Sequence, residues 1–268
     1  MGDLVGASNI FNFAYNTLQL TTLDPANDVG LAQMVMGSQT HGVTPTALAA
    51  AFQIFYDGEY TTPHLYTRVL DRDGNIYLEN NATSYQALTP QTAYIMNRLL
   101  KNVLYSNVGT ASGRYPNSNG MESFGKTGTA SDEKDLWFVG GTPYYVTAVW
   151  WGYDAPYDMT KTLSKQQAKT RTCVMAWKAL MEQAQAELES SEYTATSGGG
   201  AVEVTVSGKR EITKVKLSEE VVDPDYIEML EELIMAATNE ALRQLEEFSS
   251  DSMSKITGGM GGLGGLPF

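Results

Sequence analysis

Residues 125–154, "GKTGTASDEKDLWFVGGTPYYVTAVWWGYD", decide the fold of the longer part of this chain. Three runs rich in β-branched and aromatic residues are separated by two short links, "SDEKD" and "TP". Links this short join antiparallel neighbours, because a parallel pair needs a crossover of a dozen residues or more. The spacing predicts an antiparallel meander, with one strand carrying Lys126 to Thr129, one over Leu136 to Gly140 and one over Tyr145 to Tyr153. The aromatics Trp137, Phe138, Trp150 and Trp151 suit a sheet covered by helices. The first strand also carries Lys126-Thr127-Gly128. On a sheet edge the ammonium and hydroxyl can hold a substrate carboxylate, and the glycine lets a substrate backbone lie against the strand.

Upstream, Thr44-Pro45 reads as a helix start with a hydroxyl cap and a first-turn proline, and Leu48, Ala51 and Phe55 follow helical spacing toward Gly58. "YTRVLDRDGNIYLEN" predicts a hairpin turning at Asp73-Gly74. Thr89-Pro90 opens a second helix, with Met96, Leu99, Leu100 and Val103 as its expected apolar face.

Downstream, "SKQQAKTRTCVMAWKALMEQAQAELE" holds no Gly or Pro and predicts one long helix from Ser164 to about Glu189. "SGGGAVEVTVSGKREITKVKL" reads as a second hairpin: Val202, Val204 and Val206 alternate, Gly208 turns the chain, and Thr213, Val215 and Leu217 alternate again. The three glycines at 198–200 lack the following Gly-Lys-Ser/Thr of a phosphate loop and read as a turn feeding a strand. Asp223-Pro224 caps a last helix whose Leu230, Leu233, Ala237, Ala241, Leu245 and Phe248 form an apolar stripe. "TGGMGGLGGLPF", residues 257–268, holds six glycines and reads as a mobile tail. The expected fold class is α/β, more strictly α+β, with antiparallel sheets and helices. A long helix joins a first domain over residues 1–180 to a small hairpin-plus-helix domain over 181–268.

Charge divides the chain at the same place. Residues 1–180 carry 12 Lys+Arg against 14 Asp+Glu, a balance of -2, whereas residues 181–268 carry 6 against 17, a balance of -11. Four of those six cations, Lys209, Arg210, Lys214 and Lys216, fall within eight residues on the second hairpin. Such a stripe on an acidic body can touch phosphates if the acids turn away. The alternative is a solvated hairpin balancing an acidic helix. Cys173 is the single cysteine, and His41 and His64 are the only histidines, so no disulfide framework or Cys/His metal cluster can be assembled and no cofactor is expected. No stretch approaches the roughly 20 apolar residues of a membrane span, and the first residues start no signal peptide, which predicts a cytoplasmic chain.

Two resemblances follow from these residues. "MGSQTHGVTPTALAAAFQIFYDGEYTTPHLYTRVLDRDGN", "VGTASGRY" and the stretch through residue 154 resemble, in order and spacing, the transpeptidase domain of class A penicillin-binding proteins, over about residues 1–180. That resemblance implies a peptidoglycan cross-linking fold working through an acyl-serine. Lys126, Thr127 and Gly128 match its substrate-binding motif, and Thr129 takes the position whose N–H helps form the oxyanion hole. The rest of the constellation is absent. S-x-x-K occurs at Ser123–Lys126, Ser131–Lys134 and Ser252–Lys255, none far upstream of K-T-G at a helix start, where the family carries its nucleophile. No S-x-N occurs, and Tyr105-Ser106-Asn107 matches Y-x-N only in letters. No catalytic residue is assigned, and β-lactam or peptide binding is expected to be weak or absent.

Residues 181–268 resemble the YbaB/EbfC family of nucleoid-associated proteins almost end to end: the glycine triplet before "AVEVTVSG", the "DPDYIEMLEELIMAATNEAL" helix and the glycine-rich close. The resemblance implies a cytoplasmic homodimer that binds double-stranded DNA with limited sequence preference. It makes Lys209, Arg210, Lys214 and Lys216 the candidate phosphate contacts. The families meet near Met181 and work on opposite sides of a membrane, so the expected function is a DNA-binding module joined to a catalytically incomplete transpeptidase fragment. The alternatives are a cell-wall transpeptidase fragment and a dimerisation module, formed through the helix from Asp223 to Phe248, with no ligand.

Overall fold

The computed structural model describes residues 2–116, 121–154, 158–161 and 171–260, and side chains through residue 246. The chain divides into two compact units, Met1–Lys178 and Ala179–Phe268.

The first unit begins with three short helices, α1 (Gly2–Val5), α2 (Ala7–Asn12) and α3 (Leu31–Met36), followed by α4 (Pro45–Phe52). Phe11, Ala14, Leu20, Leu23 and Ala51 form a buried cluster among them. The loop before α3 is held by Asp28, which is fully buried and accepts hydrogen bonds from the Asp24 amide and from the amide and hydroxyl of Thr40, each at 2.8 Å. Burial pushes the Asp28 carboxyl up, but those hydrogen bonds outweigh it and hold the group below its ordinary range.

Thr44 caps α4 as expected, its hydroxyl accepting from the Ala47 amide at 3.2 Å. The predicted hairpin forms between β2 (Arg68–Leu70) and β3 (Ile76–Glu79), after β1 (Glu59–Thr61). β1 pairs instead with β4 (Ser84–Gln86), so a second small ribbon lies at the hairpin's base. Thr89 caps α5 (Pro90–Tyr105), accepting from the Thr92 amide. Its buried face differs from the expected one. Ala93, Leu100 and Leu104 are inward, whereas Leu99 is 56% exposed, because one residue of helix turns a side chain by about 100° away from its neighbour at 100.

The meander is present: β5 (Phe124–Thr129), β6 (Asp135–Gly141) and β7 (Val146–Gly152) pair antiparallel in that order. α5 packs on β5, and α4 on β6 and β7. Of the four aromatics assigned to the covered sheet, Phe138 is fully buried, while Trp150 and Trp151 are more than a third exposed on the edge strand. The described part of the long helix, α6, runs Arg171–Glu189; the predicted first turns at 164–170 lie outside the described residues. Trp177, fully buried, stacks obliquely on Phe138 and donates its indole N–H to the Gly140 carbonyl at 3.0 Å. Cys173 lies in the same interior with its thiol on the Leu136 carbonyl, and burial pushes that thiol up to about 12. A thiol so placed is a packing group.

The second unit is a three-strand antiparallel sheet and one helix. β8 (Glu192–Ser197), unforeseen in the sequence, adds to the predicted hairpin of β9 (Val202–Ser207) and β10 (Ile212–Leu217), giving the order β10-β9-β8. The β8–β9 turn sets Gly198, Gly199 and Gly200 all in the left-handed region, with φ of 57°, 68° and 96°, which explains a glycine triplet without any phosphate. α7 (Ile227–Met260) follows a turn at Pro224–Tyr226 and runs through residues 257–260, the first part of the expected tail; residues 261–268 lie outside the described residues. Its predicted stripe covers the sheet of the same unit: Ala237 and Ala241 meet Ala195, Val202, Val204 and Val206, with Leu230 and Leu233 at the margin. Leu245 is buried too, and the Phe248 side chain lies outside those described. The apolar stripe of α7 is therefore occupied within the unit.

Candidate functional site

The K-T-G run lies on β5 as expected. Gly128 stands opposite Trp137 in the ladder, with a Cβ at that glycine only 3.0 Å from the Trp137 Cβ, so a larger residue would crowd the neighbouring strand. Lys126 is exposed, and its ammonium donates to the Thr127 carbonyl at 2.8 Å. The Thr127 hydroxyl shares a hydrogen bond of 2.8 Å with that of Thr110, which comes from the loop after α5. Thr110 belongs to this site; the "VGTASGRY" stretch that contains it carries part of the resemblance but assigned it no role. Thr129 ends the strand opposite Leu136.

A nucleophile must be exposed beside a base that takes its proton. Ser123 precedes β5 in a buried position, within hydrogen-bond reach of the Tyr105 hydroxyl at 3.2 Å through its own hydroxyl and its amide. Three residues along an extended chain turn Ser123 and Lys126 to opposite faces. That bond also engages the tyrosine of the Y-x-N letters. Ser131 starts the short turn after β5, and its Lys134 pairs with Asp132 at 3.5 Å. The Ser252 side chain lies outside those described.

The second site is the β9–β10 hairpin. Registers Lys216↔Glu203 and Lys214↔Thr205 place Lys214 and Lys216 together on the sheet face away from α7, while Val215 and Leu217 pair with Val204 and Val202 on the other. Lys209 and Arg210 occupy the tip, where Arg210 has a positive φ of 63°. An arginine is held there in a conformation that glycine or asparagine would adopt more readily.

The hairpin's cations are engaged. Lys209 lies 3.7 Å from Glu189 at the end of α6, Arg210 3.2 Å from Glu246 on α7, and Lys214 3.1 Å from Glu203 on β9. The Lys214 hydrogen bond and charge, with a contribution from Lys216, hold the Glu203 carboxyl below its ordinary range. Sequence reading had found the cations but not these carboxylates. Glu203 was findable by counting back across the Gly208 turn; Glu189 and Glu246 come from helices remote in sequence. Among the described residues no cluster of three or more potential metal ligands occurs, and no helix is long and apolar enough to cross a membrane.

Comparison with known proteins matches the chain to two families. Residues 19–172 match the penicillin binding protein transpeptidase domain, and residues 159–260 the YbaB/EbfC DNA-binding family. A nucleoid-associated protein of Agathobacter rectalis is 79% identical over 80 residues, 30% of this chain and 71% of that protein. The chain belongs to both families. It joins a YbaB/EbfC nucleoid-associated domain to a penicillin-binding transpeptidase-like part. Penicillin-binding protein 1A of Clostridium acetobutylicum is 37% identical over 178 residues, 66% of this chain but 21% of that protein, so the chain spans about a fifth of that relative's length. In the same organism a separate nucleoid-associated protein is 59% identical over 80 residues, 30% of this chain and 71% of its own length. The crystal structure of penicillin-binding protein 1A from Haemophilus influenzae shares the fold, with a TM-score of 0.53 at 17% identity, covering 80% of this chain and 39% of that one.

Proposed function

We propose that this chain is a nucleoid DNA-binding protein of the cytoplasm, that residues 181–268 carry the activity, and that the transpeptidase-like part performs no acyl transfer. The observation that carries the first reading is the grouping of Lys209, Arg210, Lys214 and Lys216 on one hairpin of a YbaB/EbfC domain. Binding without base readout depends on such contacts with phosphates. The positive φ of Arg210 supports it, since a strained arginine at an exposed tip points to use of its side chain. We place the join between the two parts at residues 178–181, inside α6.

The test is duplex retardation at low salt by the full chain, compared with a variant in which Lys209, Arg210, Lys214 and Lys216 are all alanine. The expected result is a loss of affinity of about tenfold or more, with a shallower dependence on salt by about 0.9 per lost phosphate contact. Unchanged retardation removes the hairpin from the interface.

We further propose that the domain acts as a homodimer. With the α7 stripe occupied, the supporting surface is β10 and the approach to α7, where Ile212, Val215, Tyr226 and Ile227 are all more than 45% exposed. β10 is an edge strand of its sheet, open on one side to a partner. Val215→Glu should leave each protomer folded and shift sedimentation from dimer toward monomer, and a dimer that survives the charge would place the interface elsewhere.

A further inference from the structure

The carboxylates on the hairpin carry an inference that rests on the DNA-binding reading and goes beyond it. Three of the four cations offered to phosphate already hold a carboxylate, and the fourth, Lys216, stands directly across the ladder from one, Glu203. The three contacts differ in kind. The Glu189 side chain is the least exposed of the three, at 27%, and also accepts from Gln185 at 2.7 Å, so it belongs to the end of α6. Glu203 and Glu246 differ. The Lys214–Glu203 pair is 59% and 30% exposed, and the Arg210–Glu246 pair 52% and 63%. Ion pairs this open to water are weak, are screened by salt, and exchange readily for another anion.

We propose that Glu203 and Glu246 act as internal substitutes for DNA phosphates: they occupy Lys214, Lys216 and Arg210 in the free protein, and phosphate must displace them on binding. Several consequences follow from that competition. Each carboxylate subtracts from affinity twice, by occupying a cation and by repelling the incoming phosphate. Each also reduces the number of phosphates the hairpin neutralises, which flattens the dependence on salt. The pair therefore makes an acidic domain a weak and readily released binder, and its neutralisation, by substitution or by a cation bound there, strengthens binding.

The experiment titrates a fluorescent mixed-sequence duplex with the full chain across a series of salt concentrations. Three variants are compared with the parent: Glu203→Gln with Glu246→Gln, the same pair on a Lys214→Ala, Lys216→Ala and Arg210→Ala background, and Glu232→Gln. Glu232 is exposed on α7 and belongs to none of these pairs, so it reports the effect of net charge alone, for one charge where the double variant removes two. Glutamine keeps the shape of glutamate, and an unchanged far-UV spectrum verifies folding. The expected result is about tenfold tighter binding for the double glutamine variant at low salt and a salt slope steeper by about 0.9 for each phosphate gained. The control should change affinity by less than about twofold, and the gain should vanish on the alanine background. If the parent binds and the double variant does not bind more tightly, or if Glu232→Gln gains as much, the competition is wrong while the DNA reading stands. A parent chain that does not bind duplex at all overturns both.

Discussion

A fluorescent penicillin should leave this chain unlabelled on a denaturing gel, and the intact mass should be unchanged after incubation with the drug. β-Lactams mark penicillin-binding proteins because the ring acylates a serine, and loss of such a nucleophile typically costs about a millionfold in rate. Each serine with an S-x-x-K spacing falls short in its own way. Ser123 is buried against Tyr105 and faces away from Lys126. Ser131 is exposed on a turn whose lysine is paired with Asp132. Ser252 lies on α7, in the other unit. The K-T-G strand is turned on itself, with Lys126 on the Thr127 carbonyl and Thr127 on Thr110, so a β-lactam carboxylate must compete for both groups. At most a transient non-covalent complex is expected. A mass increase equal to the drug, mapped to any serine by peptide sequencing, would establish a nucleophile in these residues and return the transpeptidase reading to first place.

The elements that sequence reading recovered are those whose pattern is local. Thr44-Pro45 and Thr89-Pro90 start α4 and α5 because a hydroxyl cap and a proline satisfy or remove first-turn donors whatever lies around them. The meander was legible because its strands are aromatic and β-branched and its links are short. β8 escaped because "EYTATS" buries a single alanine fully and alternates threonine with weakly apolar residues, a pattern that also describes a loop. β1 and β4 are three residues each and pair across more than twenty, so neither shows a period of its own. The same distinction governs the candidate sites. K-T-G and the basic hairpin are contiguous in sequence, whereas Thr110, Glu189 and Glu246 reach them only through tertiary structure.

The join proposed inside α6 would let one helix serve both folds. Cys173, Val174 and Trp177 in the first unit, and Leu180, Met181, Ala184 and Leu188 in the second, are buried at steps of one, three or four residues, a helical period. A junction inside a helix preserves packing on either side when it keeps that period and introduces no glycine or proline. The matches to the two families overlap over residues 159–172, within the segment predicted as the start of this helix and its approach.

Gly208→Ala should destabilise the second unit selectively. A Cβ at Gly208 would lie 1.6 Å from the Leu188 carbonyl oxygen and 2.5 Å from its carbon, both backbone atoms that no rotamer change can move aside. The Gly208 amide also donates to the Ser191 carbonyl at 2.9 Å, and Leu188 accepts from the Ser191 amide and hydroxyl in the turn that ends α6. Alanine therefore forces apart the β9–β10 tip and the end of α6, at a cost of about 3 kcal/mol, the upper end for overpacking. Lys209 and Arg210 follow directly in the chain, so DNA affinity should fall with stability. Gly199→Ala is the comparison: that glycine has φ +68° but open space around it, so only the left-handed backbone is penalised, by about 1–2 kcal/mol. The chain reports on itself, because all four tryptophans, at 137, 150, 151 and 177, lie in the first unit. In a urea titration, tryptophan emission should keep its midpoint in the Gly208→Ala chain while part of the far-UV signal is lost at lower urea. A tryptophan midpoint that shifts equally would mean that the two units unfold as one. An unchanged far-UV transition would mean that the close approach of Gly208 to Leu188 contributes nothing to the fold.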